Sequence, residues 1–237
     1  MNKLIAGALT GAALMTIPLA ASALVIDINT YLTGNPAGSD VTVATLTLTQ
    51  NGNSVDFKFE NFVSNLGAIG DDAFISGLLF SYDGSPALDS DSFWNFGGTQ
   101  LVSAADFGIN PPGKDAGYDF YLDLDYPTSG SNFALRFTDG EYSTWTVSAA
   151  DGVSTVLVSD FAVLVNASGG GDKPASLAMV HIQQVGAGPG GSGALKYVGS
   201  EANTPPQEDP GTVPEPATLA LLGLGMASLA WMRKRKK

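Results

Sequence analysis

The sequence predicts an all-β fold, an antiparallel β-sandwich of jelly-roll type over residues 24–199, with an apolar segment beyond it at each end. Three observations point there. Apolar and polar residues alternate with a period of two through many short runs, which puts one side of each run in a core and the other in water. Turn-forming pairs punctuate those runs, among them Asn51-Gly52, Asp83-Gly84, Asp139-Gly140 and Asp151-Gly152. No stretch of the body shows the apolar spacing of the crossover helices that a parallel sheet needs.

The elements follow in order. Residues 24–30 alternate, and 41–49 form a threonine-rich strand that Asn51-Gly52 turns back into 54–62. In that second strand Val55, Phe57 and Phe59 share one face, and Asp56, Lys58 and Glu60 the other. Residues 74–82 read as the next strand. Residues 84–117 read as loop-rich, with Phe93, Trp94 and Phe96 expected to anchor the loop in the core. Strands are then expected at 118–126, 133–138, 142–148, 161–166, 176–185 and 194–198, with a flexible glycine-rich loop at 186–193.

Both ends read as export signals. Lys3, an apolar stretch over 4–20 and the triplet Ala21-Ser22-Ala23 make a signal peptide over 1–23. Ala21 and Ala23 are the small side chains that signal peptidase accepts at its cleavage site, and cleavage after Ala23 leaves Leu24 first. Residues 200–212 are acidic and proline-rich, the composition of a linker. The segment 213–237 follows, with an uncharged run over 217–232. As a helix that run is about 24 Å long at ~1.5 Å per residue, slightly short of the ~30 Å hydrocarbon core. Trp231 at the interface and the basic side chains extend its reach. Arg233, Lys234, Arg235, Lys236 and Lys237 close the chain and hold that end in the cytoplasm, with the body on the opposite side.

On these features alone the tail is either a plain membrane anchor or a processed signal. The triplet Pro214-Glu215-Pro216, the adjoining apolar run and the closing basic cluster, in that order, resemble the PEP-CTERM sorting signal. A glycolipid-anchor signal differs in ending apolar rather than basic. The resemblance covers only the last 25 residues. It implies a Gram-negative bacterium, export to the cell surface or extracellular matrix through an inner-membrane intermediate, and processing by a membrane-embedded exosortase. It further implies a setting of exopolysaccharide or biofilm. Val213, Pro214, Glu215 and Pro216 are the expected recognition element. The stretch Ala178-Met179-Val180-His181-Ile182-Gln183 also resembles an A-x-x-H-I-Q segment met in the bodies of such proteins.

Composition narrows the function. Six of the 11 basic residues but only one of the 23 acids lie in the two end segments, so the body holds 5 basic against 22 acidic residues. Such a body repels nucleic acid and anionic membranes, so the membrane is a partner only through the C-terminal helix. The chain has no cysteine, which removes thiol chemistry and disulfides, and one histidine, which removes histidine-rich zinc sites. No Gly-x-Ser-x-Gly elbow, phosphate-binding loop or dinucleotide fingerprint occurs. His181 therefore stands as catalytic base, metal ligand or hydrogen-bonded strand residue, the last being the expectation adopted. Asp119, Asp123 and Asp125 are expected on one face of the 118–126 strand, opposite Phe120, Leu122 and Leu124. Three carboxylates so placed are either solvated or bridged by a cation, with calcium the candidate. The expectation is a non-enzymatic exported protein. A calcium-dependent carbohydrate-binding module and a secreted carbohydrate-active or ester hydrolase are the alternatives.

Overall fold

Strand β1 (Ala23–Ile28) buries Leu24, Ile26 and Ile28 on alternate residues. The computed structural model describes residues 22–108, 116–128, 133–168, 172–187, 191–200 and 202–203. At Asn29 the chain turns from one sheet to the other, its N–H donating to the Val198 carbonyl at 3.2 Å, and β2 (Thr30–Asn35) starts in the second sheet. The single run expected at 24–30 is thus two short strands about a corner. Strands β3 (Ala44–Asn51) and β4 (Ser54–Asn61) form the expected hairpin. Its two-residue loop begins with Gly52 at φ 60, a left-handed first position that suits a type II′ turn. Val55, Phe57 and Phe59 are buried and Asp56, Lys58 and Glu60 face away, as the alternation requires.

Strand β5 (Phe74–Phe80) is buried along its whole length. The region expected to be loop-rich, 84–117, contains two edge strands, β6 (Phe93–Gly98) and β7 (Ala104–Phe107). Phe93 is buried against the core, but Trp94 and Phe96 are exposed rather than anchored in it. Of the 118–126 run only β8 (Leu122–Asp125) pairs as a strand. The expected strand at 133–138 is a 3-10 turn, Phe133–Leu135, followed by a single bridge from Phe137 to Ile75. The one expected at 161–166 is likewise replaced by a 3-10 turn, Val158–Phe161, and an isolated bridge between Val165 and Ser176. Strands β9 (Tyr142–Val147), β10 (Ala178–Val185) and β11 (Gly193–Gly199) lie near their expected positions. Two residues of the proline-rich segment, β12 (Ala202–Asn203), pair with β1.

Two antiparallel six-stranded sheets result: sheet A, ordered β12-β1-β3-β4-β9-β6, and sheet B, ordered β2-β11-β10-β5-β8-β7. Hairpins within a sheet join β3 to β4, β7 to β8 and β10 to β11, and the other connections cross between sheets. Among the described residues twelve strands so connected make a broader sandwich than the eight-stranded jelly roll. Aromatic rings tie the layers together. Trp145 stacks on Phe57 at 5.1 Å, and Phe57 meets Phe80 of the facing sheet at 5.7 Å and the edge of Phe161 at 4.9 Å.

Sheet B also carries a smaller apolar cluster on its outer face. There Leu79, Met179 and Val198 are covered by Tyr118 and Phe120. The Tyr118 hydroxyl donates to the Pro174 carbonyl at 2.6 Å, which pins this covering segment. Among the described residues no helix is long and apolar enough to cross a membrane, and the expected helix at 217–232 lies outside them.

Candidate functional site

Beside this roof the outer face of sheet B opens into a polar groove. Pairing sets its floor: His181 of β10 lies opposite Gly77 of β5, and Gly77 opposite Asp125 of β8. Asp123, two residues earlier, lies opposite Leu79. Gly77 leaves the space between His181 and Asp125 open. A Cβ on it would sit 3.8 Å from an oxygen of each of Asp123 and Asp125, so both carboxylates reach over the bare position.

A register shift between His181 and Ile182 brings Ser76 into the site, since Ile182 pairs with Ile75 and His181 with Gly77. Ser76 is buried, and its Oγ donates to the His181 carbonyl at 3.1 Å and accepts from Gln183 Nε2 at 3.1 Å. His181 Nδ1 lies 3.2 Å from the same oxygen. A serine hydroxyl has one hydrogen. With that hydrogen on the carbonyl, Nδ1 supplies the N–H to Oγ, and the acceptor lone pair of the neutral ring falls on Nε2. The network orients the imidazole. It also occupies the Ser76 oxygen on every side, which is the opposite of a nucleophile poised for attack.

The groove holds a cavity of about 440 Å³ lined by Ser76, Ser103, Asp123, Asp125, Thr128, His181 and Gln183. A second cavity of about 290 Å³ shares Thr128, His181 and Gln183 and extends to Arg136 and Gln184. The Arg136 guanidinium lies over the Phe74 ring, 4.4 Å from its centroid, and donates to Gln184 Oε1. Carboxylates therefore mark one end of the groove and a guanidinium the other, with amides and hydroxyls between. That lining suits a polar ligand held by many hydrogen bonds. Tyr126 at the groove edge is fully buried, and burial holds its hydroxyl protonated far above the ordinary range.

The three expected calcium ligands are divided by this geometry. Asp123 is buried in the groove wall and Asp125 is half-buried beside it, whereas Asp119 is exposed, precedes β8 and does not line the cavity. The reason is that residues 116–121 leave the sheet to form the roof, so Asp119 does not continue the strand's alternation. Among the described residues no three histidine, aspartate or glutamate side chains come together in a way that could hold a metal ion. Gln183 shares the A-x-x-H-I-Q stretch with His181, whereas Ser76 and Gly77 are the site residues that the sequence pattern does not mark. Their one visible signal is the Ser-Gly pair interrupting the apolar run Phe74–Phe80.

Of the export signals, Ala23 is the first residue of β1, paired with Thr49. Ala21, Val213, Pro214, Glu215, Pro216 and the residues Arg233, Lys234, Arg235, Lys236 and Lys237 lie outside the described residues. Searches of curated proteins and of solved structures returned no match to the chain. A family model does match its end: residues 212–236 are a PEP-CTERM protein-sorting motif, which implies an exported, membrane-transiting protein with an exosortase as its processing partner.

Proposed function

We propose that the chain is a non-enzymatic surface or matrix protein, delivered across the inner membrane and released by exosortase cleavage near Pro214-Glu215-Pro216, that works among extracellular polysaccharide. The observation that carries this reading is the sorting motif at 212–236. The signal peptide starts export and signal peptidase removes it. The apolar run 217–232 stops transfer, and the basic tail holds the C-terminus in the cytoplasm. The proline-flanked glutamate, immediately before the apolar run, is the element the processing enzyme then recognises. A body with 22 acids against 5 bases stays soluble once released. Mass spectrometry of the surface-released protein from its host tests this. The expected product begins at Leu24 and lacks everything beyond the Pro-Glu-Pro region. An intact Lys237 on the surface protein makes the tail an anchor and overturns processing.

One arrangement favours a second reading, a secreted hydrolase: His181 Nδ1 lies within 3.2 Å of Ser76 Oγ, in a groove that also holds Asp123 and Asp125. Against it, Ser76 is buried and its oxygen is fully engaged. Labelling by a serine-reactive fluorophosphonate, lost on Ser76→Ala, would establish the hydrolase. Absence of labelling is the expected result.

A further inference from the structure

The outer face of sheet A carries an aromatic pair that neither the core nor the groove uses. Trp94 on edge strand β6 is 47 % exposed, and its Nε1 donates to Ser148 Oγ at 3.1 Å, which holds the ring in one orientation. Tyr142 on the neighbouring β9 is 39 % exposed, with Lys58 Nζ 5.5 Å from its ring centroid. Trp94 lies opposite Thr146, four residues along β9 from Tyr142, a separation of roughly 13 Å at ~3.3 Å per residue.

The ground between them is polar and kept low. Gly97 lies opposite Thr144, and a Cβ there would come within 2.9 Å of Thr144 Oγ1, so the position stays bare. The register shift between Trp94 and Gly97, with Asn95 at φ 56, brings Asn95 to the lining of a shallow cavity of about 290 Å³ shared with Thr47, Asp56, Lys58 and Thr144. Its charged side chains already have partners. Lys58 Nζ lies 2.6 Å from Glu60 Oε1, and Asp56 accepts from Thr146 Oγ1 at 2.7 Å and from Asn51 Nδ2 at 2.8 Å.

We infer that this face is a binding platform for a neutral polysaccharide, with Trp94 and Tyr142 stacking on sugar rings and Asn95, Thr144 and Thr47 bonding to hydroxyls between them. Sugar rings present C–H faces that rest on aromatic rings and hydroxyls at their rims that need amide and hydroxyl partners, and this face supplies both in alternation. The charge balance selects against an acidic polymer, because the one cation on the platform is paired and the body around it is strongly anionic. The platform rests on the polysaccharide part of the proposed function and names its site and ligand class.

The test is affinity electrophoresis and calorimetric titration of the full chain in detergent micelles, with neutral glucan, galactan and mannan as probes and polygalacturonate as the acidic one. At least one neutral glycan should bind, with affinity falling tenfold or more in Trp94→Ala and less in Tyr142→Phe, while polygalacturonate is ignored. Neutral-glycan binding that survives Trp94→Ala but is lost in Gln183→Ala moves the site to the groove of sheet B; the platform falls and the polysaccharide setting stands. Preference for polygalacturonate overturns the neutral assignment. Binding of no glycan overturns the platform and leaves processing at the Pro-Glu-Pro region intact. A dimer in sedimentation that Trp94→Ala dissociates, without glycan binding, assigns the face to a second copy of the chain instead.

Discussion

The outer faces of the two sheets are built from the same alternation and end in opposite conditions. On sheet A the outward residues of β3, β4 and β9 are Tyr142 and threonines and charged side chains that are half-buried or exposed, save Thr146, which is buried. On sheet B the outward Met179 of β10 meets a second layer, because Tyr118 and Phe120 fold back over Met179 and Leu79, while His181 and Gln183 line the groove beside it. One face becomes a shallow platform and the other a roofed surface with a groove at its margin. Alternation states which side of a strand is polar. Whether the other side is covered depends on a segment distant in the chain.

Both faces rest on one shared layer. Phe57 contacts Trp145, Phe80 and Phe161 between the sheets, and Phe57→Ala should cost about 3–5 kcal/mol, read as a lowered denaturation midpoint. A loss under about 1 kcal/mol would mean that this aromatic group does not join the sheets. Met179→Ala, on an outward position beneath the roof and fully buried, should cost about 2–5 kcal/mol. A surface-like effect there would abolish the distinction between the faces.

Alkaline titration sharpens the contrast, since the strongly perturbed phenols sit on sheet B or directly after its strands. Tyr82 is pushed up to about 12 by burial and then by the charge of Asp160, and Tyr197 to about 12 by burial and then by Asp40. Each ionises near 10 when unfolded. Above that pH the unfolded chain holds fewer protons than the folded one, so stability falls as pH rises. The contribution is whole below pH 10 and is lost progressively toward 12. Tyrosinate absorbance should lag in the native protein and appear together with loss of structure, and a native-state rise complete by pH 10 would contradict the burial. The smallest effect belongs to the open face: Thr47→Ala on sheet A should change stability by no more than about 0.5 kcal/mol.

Much of the fold is legible in the pattern, and particular residues show where legibility stops. The hairpin of β3 and β4 needs only alternation and a glycine that tolerates positive φ at Gly52. Strand β5 is equally plain as an apolar run broken only by Ser76-Gly77. Strand β6 is missed because an edge strand with a bulge at Asn95 exposes both Trp94 and Phe96, which removes the alternation by which strands are recognised. Residues 118–126 read as one strand because Tyr118, Phe120, Leu122 and Leu124 keep a period of two. Pairing with β5 begins only at Leu122, and the first half serves as roof. The same break separates Asp119 from Asp123 and Asp125. Of the groove, His181 and two of its carboxylates are visible in advance, whereas Ser76 enters through a register shift that has no local signature.

Order along the chain was sufficient for the all-β class, the acidic body and the sorting motif at its end. Alternation, net charge and a linear signal are properties of neighbouring residues and need no partner elsewhere. The division of labour between the two faces arose from contact instead. Gly77 became a groove floor because Asp125, 48 residues away in sequence, and His181, 104 residues away, flank it through the pairing of β8, β5 and β10. Trp94 became exposed because its register opposite Thr146 turns it to the outer face of sheet A, whereas Phe93, opposite Val147, faces the core. Strand order and register are collective results of packing, and they settle which side chains meet.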